Sequence, residues 1–287
     1  MPPYVTFVVD GILTGAVYGL MALGLSVIFG VVRIVNFAHG EMMVMGMYAT
    51  ILLHKYLGLD PLLCAPLNAL ILFVFGFALQ RGLINRYIFR PEHEQFILML
   101  GIATLLTSSM LMVFGPDARN VQPDYALDSF QIGSLILDKV RVFAAAGAVI
   151  SVTLLWAFFR YTRTGKAIRA CADNQVGAQV VGLDVSRLYG VTFGLGAACV
   201  GAAGTLMLLL VDVQPYISTD YTLLSFVIVI VGGLGSMPGA LLGGLLIGVS
   251  EGLSAYLITP SLKSMFSFGL LIVVLLIRPQ GLFGRSA

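Results

Sequence analysis

The sequence predicts an all-α fold, a polytopic transmembrane helical bundle of about eight or nine spans, in one domain over residues 1–287 with a helical cytoplasmic loop at 160–188. Three observations lead there. The chain is 59% hydrophobic and 10% charged, whereas soluble domains are about 45–50% apolar and about 25% charged. That balance leaves too little polar surface to cover a globule in water. The apolar residues fall into long charge-poor stretches, and crossing about 30 Å of hydrocarbon takes about 20 such residues in a helix. The charges gather between the stretches, with opposite signs in alternate segments. A net charge of +2 with clustered basic residues orients a chain in a bilayer and gives no footprint for nucleic acid.

Taken in order, the first span is residues 11–32, free of formal charge. No basic region and small-residue cleavage site precede it, so it reads as a retained helix. Residues 40–53 form a shorter segment after the polar break RIVNFAHGE. Residues 62–80, 96–115, 142–159 and 189–211 are further spans. Residues 221–250 carry no charge, but GGLGSMPG breaks them into two. Residues 264–277 follow Lys263 and end at Arg278, whose long side chain can snorkel to the interface. The count is nine, or eight if 40–53 or 264–277 is re-entrant.

Loop charges orient the spans. Residues 81–95 hold Arg81, Arg86 and Arg90. The run 160–188 holds Arg160, Arg163, Lys166, Arg169 and Arg187, five of the sixteen basic residues. The tail holds Arg278 and Arg285. By the positive-inside rule these three segments face the cytoplasm, with a cytoplasmic C-terminus and an external N-terminus. Residues 116–139, with Asp117, Asp124, Asp128 and Asp138, and the acidic segment 212–220 lie outside.

Glycine spacing sets the packing. Gly11, Gly15 and Gly19 are four apart, as are Gly235, Gly239 and Gly243, and Gly244, Gly248 and Gly252. Each set lies on one helix face and lets a neighbouring backbone approach closely. The first and last thirds share a helix–break–helix plan, with breaks at 33–41 and 232–239, as in transporters built on broken helices.

Four places can carry chemistry. In RIVNFAHGE, polar Asn36, His39 and Glu41 sit beside apolar runs, where ionisable groups are costly and are functional candidates. Asn36 can cap a helix start, Gly40 lets the chain bend, and His39 and Glu41 can bond backbone groups freed by the break; an ordinary cytoplasmic turn is the plainer reading. In VGGLGSMPGALLGG, Gly235 permits a sharp turn and Ser236 can cap a helix opened by Pro238. It is either a hairpin at the membrane surface or an unwound turn lining a cavity. Glu251, with Asp10 as a weaker partner, interrupts an apolar helix as a structural acid or a proton carrier. In 160–188, Thr164 can cap a helix through Ala172, and Asp173 or Asn174 a second one, with Val176, Val180 and Val181 on one face and Gly182 as its stop. Two short helices with basic flanks make a knob suited to a groove on a soluble partner.

The absences count too. There is no GxxxxGK[ST] nucleotide loop. His39, His54 and His93 are not spaced for a metal, and Cys64, Cys171 and Cys199 form no CxxC pair. No catalytic residue, metal or cofactor is expected, so a conduit of this kind takes its energy from elsewhere.

VRIVNFAHGEMMVMGMYAT, TRTGKAIRACADNQVGAQVVGLDVSRL, VGGLGSMPGALLGGLLIGVSEGL and RPQGLFG occur in this order over nearly the full length. As a set they resemble the bacterial branched-chain amino acid ABC transporter permeases of the LivH type. The resemblance implies a bacterial inner-membrane subunit paired with a second, LivM-type permease. It implies two cytoplasmic ATPase subunits that bind the ATP, and a periplasmic binding protein delivering leucine, isoleucine or valine. It implies that Arg163, Lys166, Arg169, Ala172, Asp173 and Gly182 belong to the loop that seats in the ATPase groove. Asn36, His39, Gly40, Glu41, Gly235, Ser236 and Glu251 become candidates for the translocation path. The family also includes permeases for urea, short amides and other amino acids. A rival reading is an ion-coupled secondary transporter using Glu41, Glu251 or Asp10. Such a self-sufficient carrier has no need of the 160–188 knob, and a non-transporting scaffold has no need of broken helices.

Overall fold

Two glycine ladders lie face to face at the centre of the bundle. In the computed structural model, which describes residues 4–132, 135–257 and 263–284, helix α1 (Tyr4–Val32) runs antiparallel to α10 (Met237–Leu257) along most of its length. A Cβ on Gly248 would stand 2.3 Å from the Gly11 carbonyl oxygen, and one on Gly244 would stand 2.4 Å from the Gly19 nitrogen. The sets Gly11–Gly15–Gly19 and Gly244–Gly248–Gly252 are therefore the two halves of one seam, which brings backbones together as small residues do between membrane helices. The third set does not share one helix face, since Gly239 and Gly243 pack on α9 (Ile217–Gly232) and Gly235 lies in the turn before α10.

The remaining α-helices are α2 (His39–Leu57), α3 (Cys64–Gly82), α4 (Glu92–Phe114), α5 (Lys139–Tyr161), α6 (Arg163–Asp173), α7 (Gln175–Val180), α8 (Val185–Leu208), α9 (Ile217–Gly232) and α11 (Lys263–Ile277). Each apolar stretch of the sequence forms one of them. Among the described residues, six helical stretches are long and apolar enough to cross a membrane: α1, residues Pro61–Arg86 around α3, α4, α5, α8 and α10. Helix α9 and residues Ser264–Ile277 are shorter apolar helices. Helices α1 and α8 are 83% buried over their most apolar window, against 22–28% for the α3, α4 and α5 stretches. The first two are the core, and the others present apolar side chains outward, as lipid-facing helices do. The all-α expectation needs one amendment: strands β1 (Ser129–Ile132) and β2 (Leu135–Asp138) pair antiparallel in the acidic 116–139 segment. The basic tail residue Arg285 lies outside the described residues.

Two helix triplets interlock. Helix α3 lies on α8 as α10 lies on α1, and α2 lies on α9. In the α3–α8 contact a Cβ on Gly76 would meet the Phe193 carbonyl oxygen at 3.2 Å, and one on Gly201 the Asn68 carbonyl oxygen at 2.8 Å. Exchanging α1–α2–α3 with α8–α9–α10 thus carries one set of contacts into the other. The break equivalent to 33–38 is residues 209–216, between α8 and α9, and not 232–239 as the sequence pairs them. The correction has a physical reason. Between α9 and α10 only residues 233–236 leave the helix, in a tight turn with Gly233 and Gly235 at φ 108° and 76°. The true break, LLVDVQPY, overlaps the acidic segment 212–220, which reads in the sequence as a plain loop between spans.

Candidate functional site

Helix α1 ends at Arg33, held at φ 58°, a left-handed conformation uncommon outside glycine. Residues 33–38 then run back along the bundle before α2 begins. His39 Nε2 donates to the Met21 carbonyl oxygen at 3.0 Å. Met21 is eleven residues before the end of α1, so α2 starts about 16 Å back along that helix. An interior helix start leaves first-turn N–H groups to be satisfied. The Gly40 N–H donates to Thr222 Oγ1 at 2.9 Å, and Thr222 Oγ1 donates to Glu41 Oε2 at 3.2 Å. Glu41 thus sits in the first turn of α2, and Ser218 Oγ beside it donates to the Pro215 carbonyl oxygen at 2.9 Å. Gly40 is required by contact, since a Cβ there would lie 2.0 Å from the Ser218 carbonyl oxygen. Asn36 caps the turn before α2 and not the helix itself: its Oδ1 accepts from the Ala38 N–H at 3.0 Å.

A cavity of about 1270 Å³ opens at the end of the bundle that carries α6. Gly235 and Ser236 of the α9–α10 turn line one side, and Arg169, Ala172 and Asp173 of α6 line another. The structure thus brings the turn candidates and part of the 160–188 candidates into one space. The cavity reaches Phe37 and Phe96; Asn36, His39, Gly40 and Glu41 are buried and do not line it. Ser236 Oγ accepts from the Gly239 N–H at 3.2 Å, the cap expected of it. The tail closes the same end: the N–H groups of Leu282 and Phe283 donate to the carbonyl oxygens of Val231 and Gly232, both at 2.9 Å.

The 160–188 element is two helices, α6 and α7, followed by the first residues of α8. Its first cap is Thr162, not Thr164, because α6 already includes residue 163. Thr162 Oγ1 accepts from the Gly165 N–H at 2.9 Å and donates to the Phe158 carbonyl oxygen at 2.7 Å. Helix α6 also runs one residue past Ala172, to Asp173. A Cβ on Gly165 would stand 2.5 Å from that same Phe158 oxygen, so α6 is pressed directly onto the end of α5. Ile168 and Cys171 face inward, while Arg163, Lys166, Arg169 and Asp173 are exposed. Burial pushes the Cys171 thiol above its ordinary pKa, against a smaller opposing effect of its Tyr189 hydrogen bond. A maleimide is expected to label it much more slowly than a free thiol at neutral pH, and fast labelling in intact protein would show otherwise. Asn174 caps α7 through the Gly177 N–H at 2.8 Å. Gly182, at φ 85°, is the stop: its N–H donates to Gln179 O, and that of Leu183 to Ala178 O. Val176, Val180 and Val181 are 70%, 82% and 75% exposed, an apolar stripe left uncovered by the described residues.

Glu251 is held from two helices. Tyr18 Oη donates to Oε2 at 3.0 Å and Ser267 Oγ to Oε1 at 2.9 Å. Asp10 is not its partner. The Asp10 carboxylate pairs with Arg141 of α5 at 3.8 Å, a contact between residues too far apart in sequence to be paired by inspection. Asn68 was also missed. It sits alone in an apolar run, and its Nδ2 donates to Gly46 O, Thr50 Oγ1 and Thr205 Oγ1 at 3.1, 2.7 and 2.8 Å. A lone polar residue at membrane depth was signal enough to find it. Among the described residues no group of three or more His, Cys, Asp or Glu side chains could hold a metal ion.

A family profile described as "Branched-chain amino acid transport system / permease component" matches residues 7–275. The chain belongs to this permease family. It is 32% identical to the high-affinity branched-chain amino acid transport system permease protein LivH of Salmonella typhimurium, over 96% of this chain and 94% of that protein. It is 30% identical to the BraD permease protein of Pseudomonas aeruginosa, over 98% and 96%. It is 25% identical to the LivM permease protein of Salmonella typhimurium, over 93% and 67%. The four sequence blocks that resemble the family occupy defined places in this permease: the interior start of α2, the α6–α7 element, the α9–α10 turn with its glycine ladder, and the tail on α9.

For this permease Glu251→Gln is expected to keep transport within about threefold, because an amide can still accept from one hydroxyl while the other reorients. Uptake measured from pH 6 to 8 tests it; a complete, pH-dependent loss would identify a proton carrier.

Proposed function

We propose that this chain is the LivH-type permease subunit of an ABC importer that moves leucine, isoleucine and valine across the inner membrane. A LivM-type permease completes the pore, two ATPase subunits dock below, and a periplasmic binding protein delivers the cargo. The observation that carries this reading is the presented α6–α7 element in a chain of this family. It is a capped, amphipathic knob, basic on its flanks, with three exposed valines that no described residue covers. Such a surface fits a groove on a soluble partner. The names of the relatives favour branched-chain amino acids over urea or short amides.

In this arrangement the basic segments 81–95 and 160–188 and the C-terminus are cytoplasmic. The chain crosses nine times. Residues 33–38 and α2 make one crossing together, and residues 209–216 and α9 make another, each part extended chain and part helix.

The test is reconstitution in liposomes. With both permeases, the ATPases and the binding protein present, leucine accumulates only with ATP, and excess isoleucine competes where urea does not. Uphill uptake by the permease without the ATPases would overturn the reading in favour of a secondary transporter.

A further inference from the structure

Helix α4 meets α2, the segment before it and α9 at three levels. At the first, Phe37 stands edge-on to Phe96, with ring centroids 4.7 Å apart and planes at 85°, and leans on Phe226 of α9 at 5.2 Å. At the second, Thr107 Oγ1 is 3.4 Å from Ser218 Oγ. Thr222, one turn along α9 from Ser218, donates to the Glu41 carboxylate at 3.2 Å, so α4, α9 and α2 share one polar layer. At the third, Phe114 stacks on Tyr48, with centroids 4.0 Å apart and planes at 9°. Arg119 lies over the Phe114 ring, its guanidinium 5.7 Å from the centroid, and donates to the Phe114 carbonyl oxygen.

Spacing along α4 gives these levels their meaning. From Phe96 to Phe114 is eighteen residues, about 27 Å of helix, close to the thickness of about 30 Å of a hydrocarbon core. The two aromatic layers therefore lie near the two ends of a membrane span, and Thr107 lies between them. The cavity at the α6 end is bounded by Phe37 and Phe96, and Thr107, Ser218 and Glu41 do not line it.

We propose that the face of α2 and α9 toward α4 is the passage for cargo. Phe37, Phe96 and Phe226 seal it on the α6 side, and Tyr48, Phe114 and Arg119 seal it at the other end. The oxygens of Glu41, Thr107 and Ser218 form the station between the seals, where the ammonium group of an α-amino acid is held. This assignment rests on the amino acid permease reading above. Aromatic pairs suit the role of seal, because they exclude water yet separate without leaving a buried polar group unpaired. The station is costly at such depth; in this structure Thr222 donates to Glu41, and Ser218 donates to the Pro215 carbonyl oxygen.

The test uses the whole transporter, with both permeases, ATPases and binding protein, in proteoliposomes. The native cysteines Cys64, Cys171 and Cys199 are buried, so Thr107→Cys reports on the station. Phe96→Ala is expected to raise its labelling by an impermeant maleimide about tenfold from the ATPase side, and Phe114→Ala from the opposite side. Saturating leucine slows that labelling and urea does not. Neither single variant leaks preloaded leucine without nucleotide, and the Phe96→Ala/Phe114→Ala pair does. A Phe96→Leu/Phe114→Leu pair with unaltered gel-filtration behaviour repeats the leak measurement with less disturbance. Unchanged labelling in both single variants, or a double variant that stays tight, would overturn the proposal. If the wild type accumulates leucine in the same vesicles, the seals alone are then wrong; if it does not, the amino acid reading falls with them.

Discussion

Gly248→Val is expected to abolish the folded permease. The new Cβ would sit 2.3 Å from the Gly11 carbonyl oxygen and 2.5 Å from the Gly15 Cα, and both are backbone, which no rotamer change can move aside. Overpacking an ordinary core costs about 1–3 kcal/mol, because side chains give way. Here α1 and α10 must separate along the seam, and Gly244 and Gly252 lose their close contacts at the same time, so the cost is expected to exceed about 3 kcal/mol. The measurement is the fraction of protein still monodisperse after graded heating in detergent. Gly101→Val is the control: a Cβ on Gly101 meets nothing within 4 Å, and the helix stays as it was. Equal survival of the two variants would show that the glycine ladder is not the bundle's main joint.

The second large effect is on coupling. Replacing Arg169 and Asp173 together by Ala is expected to cut ATP-driven uptake about tenfold or more and to reduce retention of the ATPases on the purified permease. Both side chains are exposed on α6, and α6 is fixed by its opposite face, through Gly165, Ile168 and Cys171. Membrane insertion and yield should therefore be unchanged. Because the two residues also line the cavity, uptake alone cannot separate docking from passage. Retention of the ATPases does: full retention at unchanged yield would remove the docking role from these residues.

What could be read from the sequence was what local chemistry sets. Apolar length located the helices, four-residue spacing located the glycine seam, and Asn174, Ser236 and Gly182 announced the helix ends they occupy. Boundaries slipped where a neighbour helix decides them. Helix α1 extends to Tyr4 past Asp10 because Arg141 of α5 compensates that carboxylate. The cap of α6 is Thr162 because α5 ends beside it. The second break, at residues 209–216, overlaps the acidic segment 212–220, and an acidic segment between two spans reads as a plain external loop and gives no sign that the chain turns back before α9. The aromatic layers at Phe37 and Phe114 were out of reach for another reason: aromatic residues are everywhere in such a chain, and only the packing of α4 on α2 and α9 selects these.

The seam between α1 and α10 also sets a timetable for biosynthesis. Gly15 and Gly244 are 229 positions apart, so at about 5–20 residues per second the ribosome needs about 10–50 s to supply the first helix with its mate. Until then the groove along α1 is filled by lipid tails, which an all-hydrocarbon surface tolerates and which the arriving helix must displace. Assembly of the permease is thus completed from the C-terminal third, and a chain halted before residue 237 carries its most conspicuous joint half made.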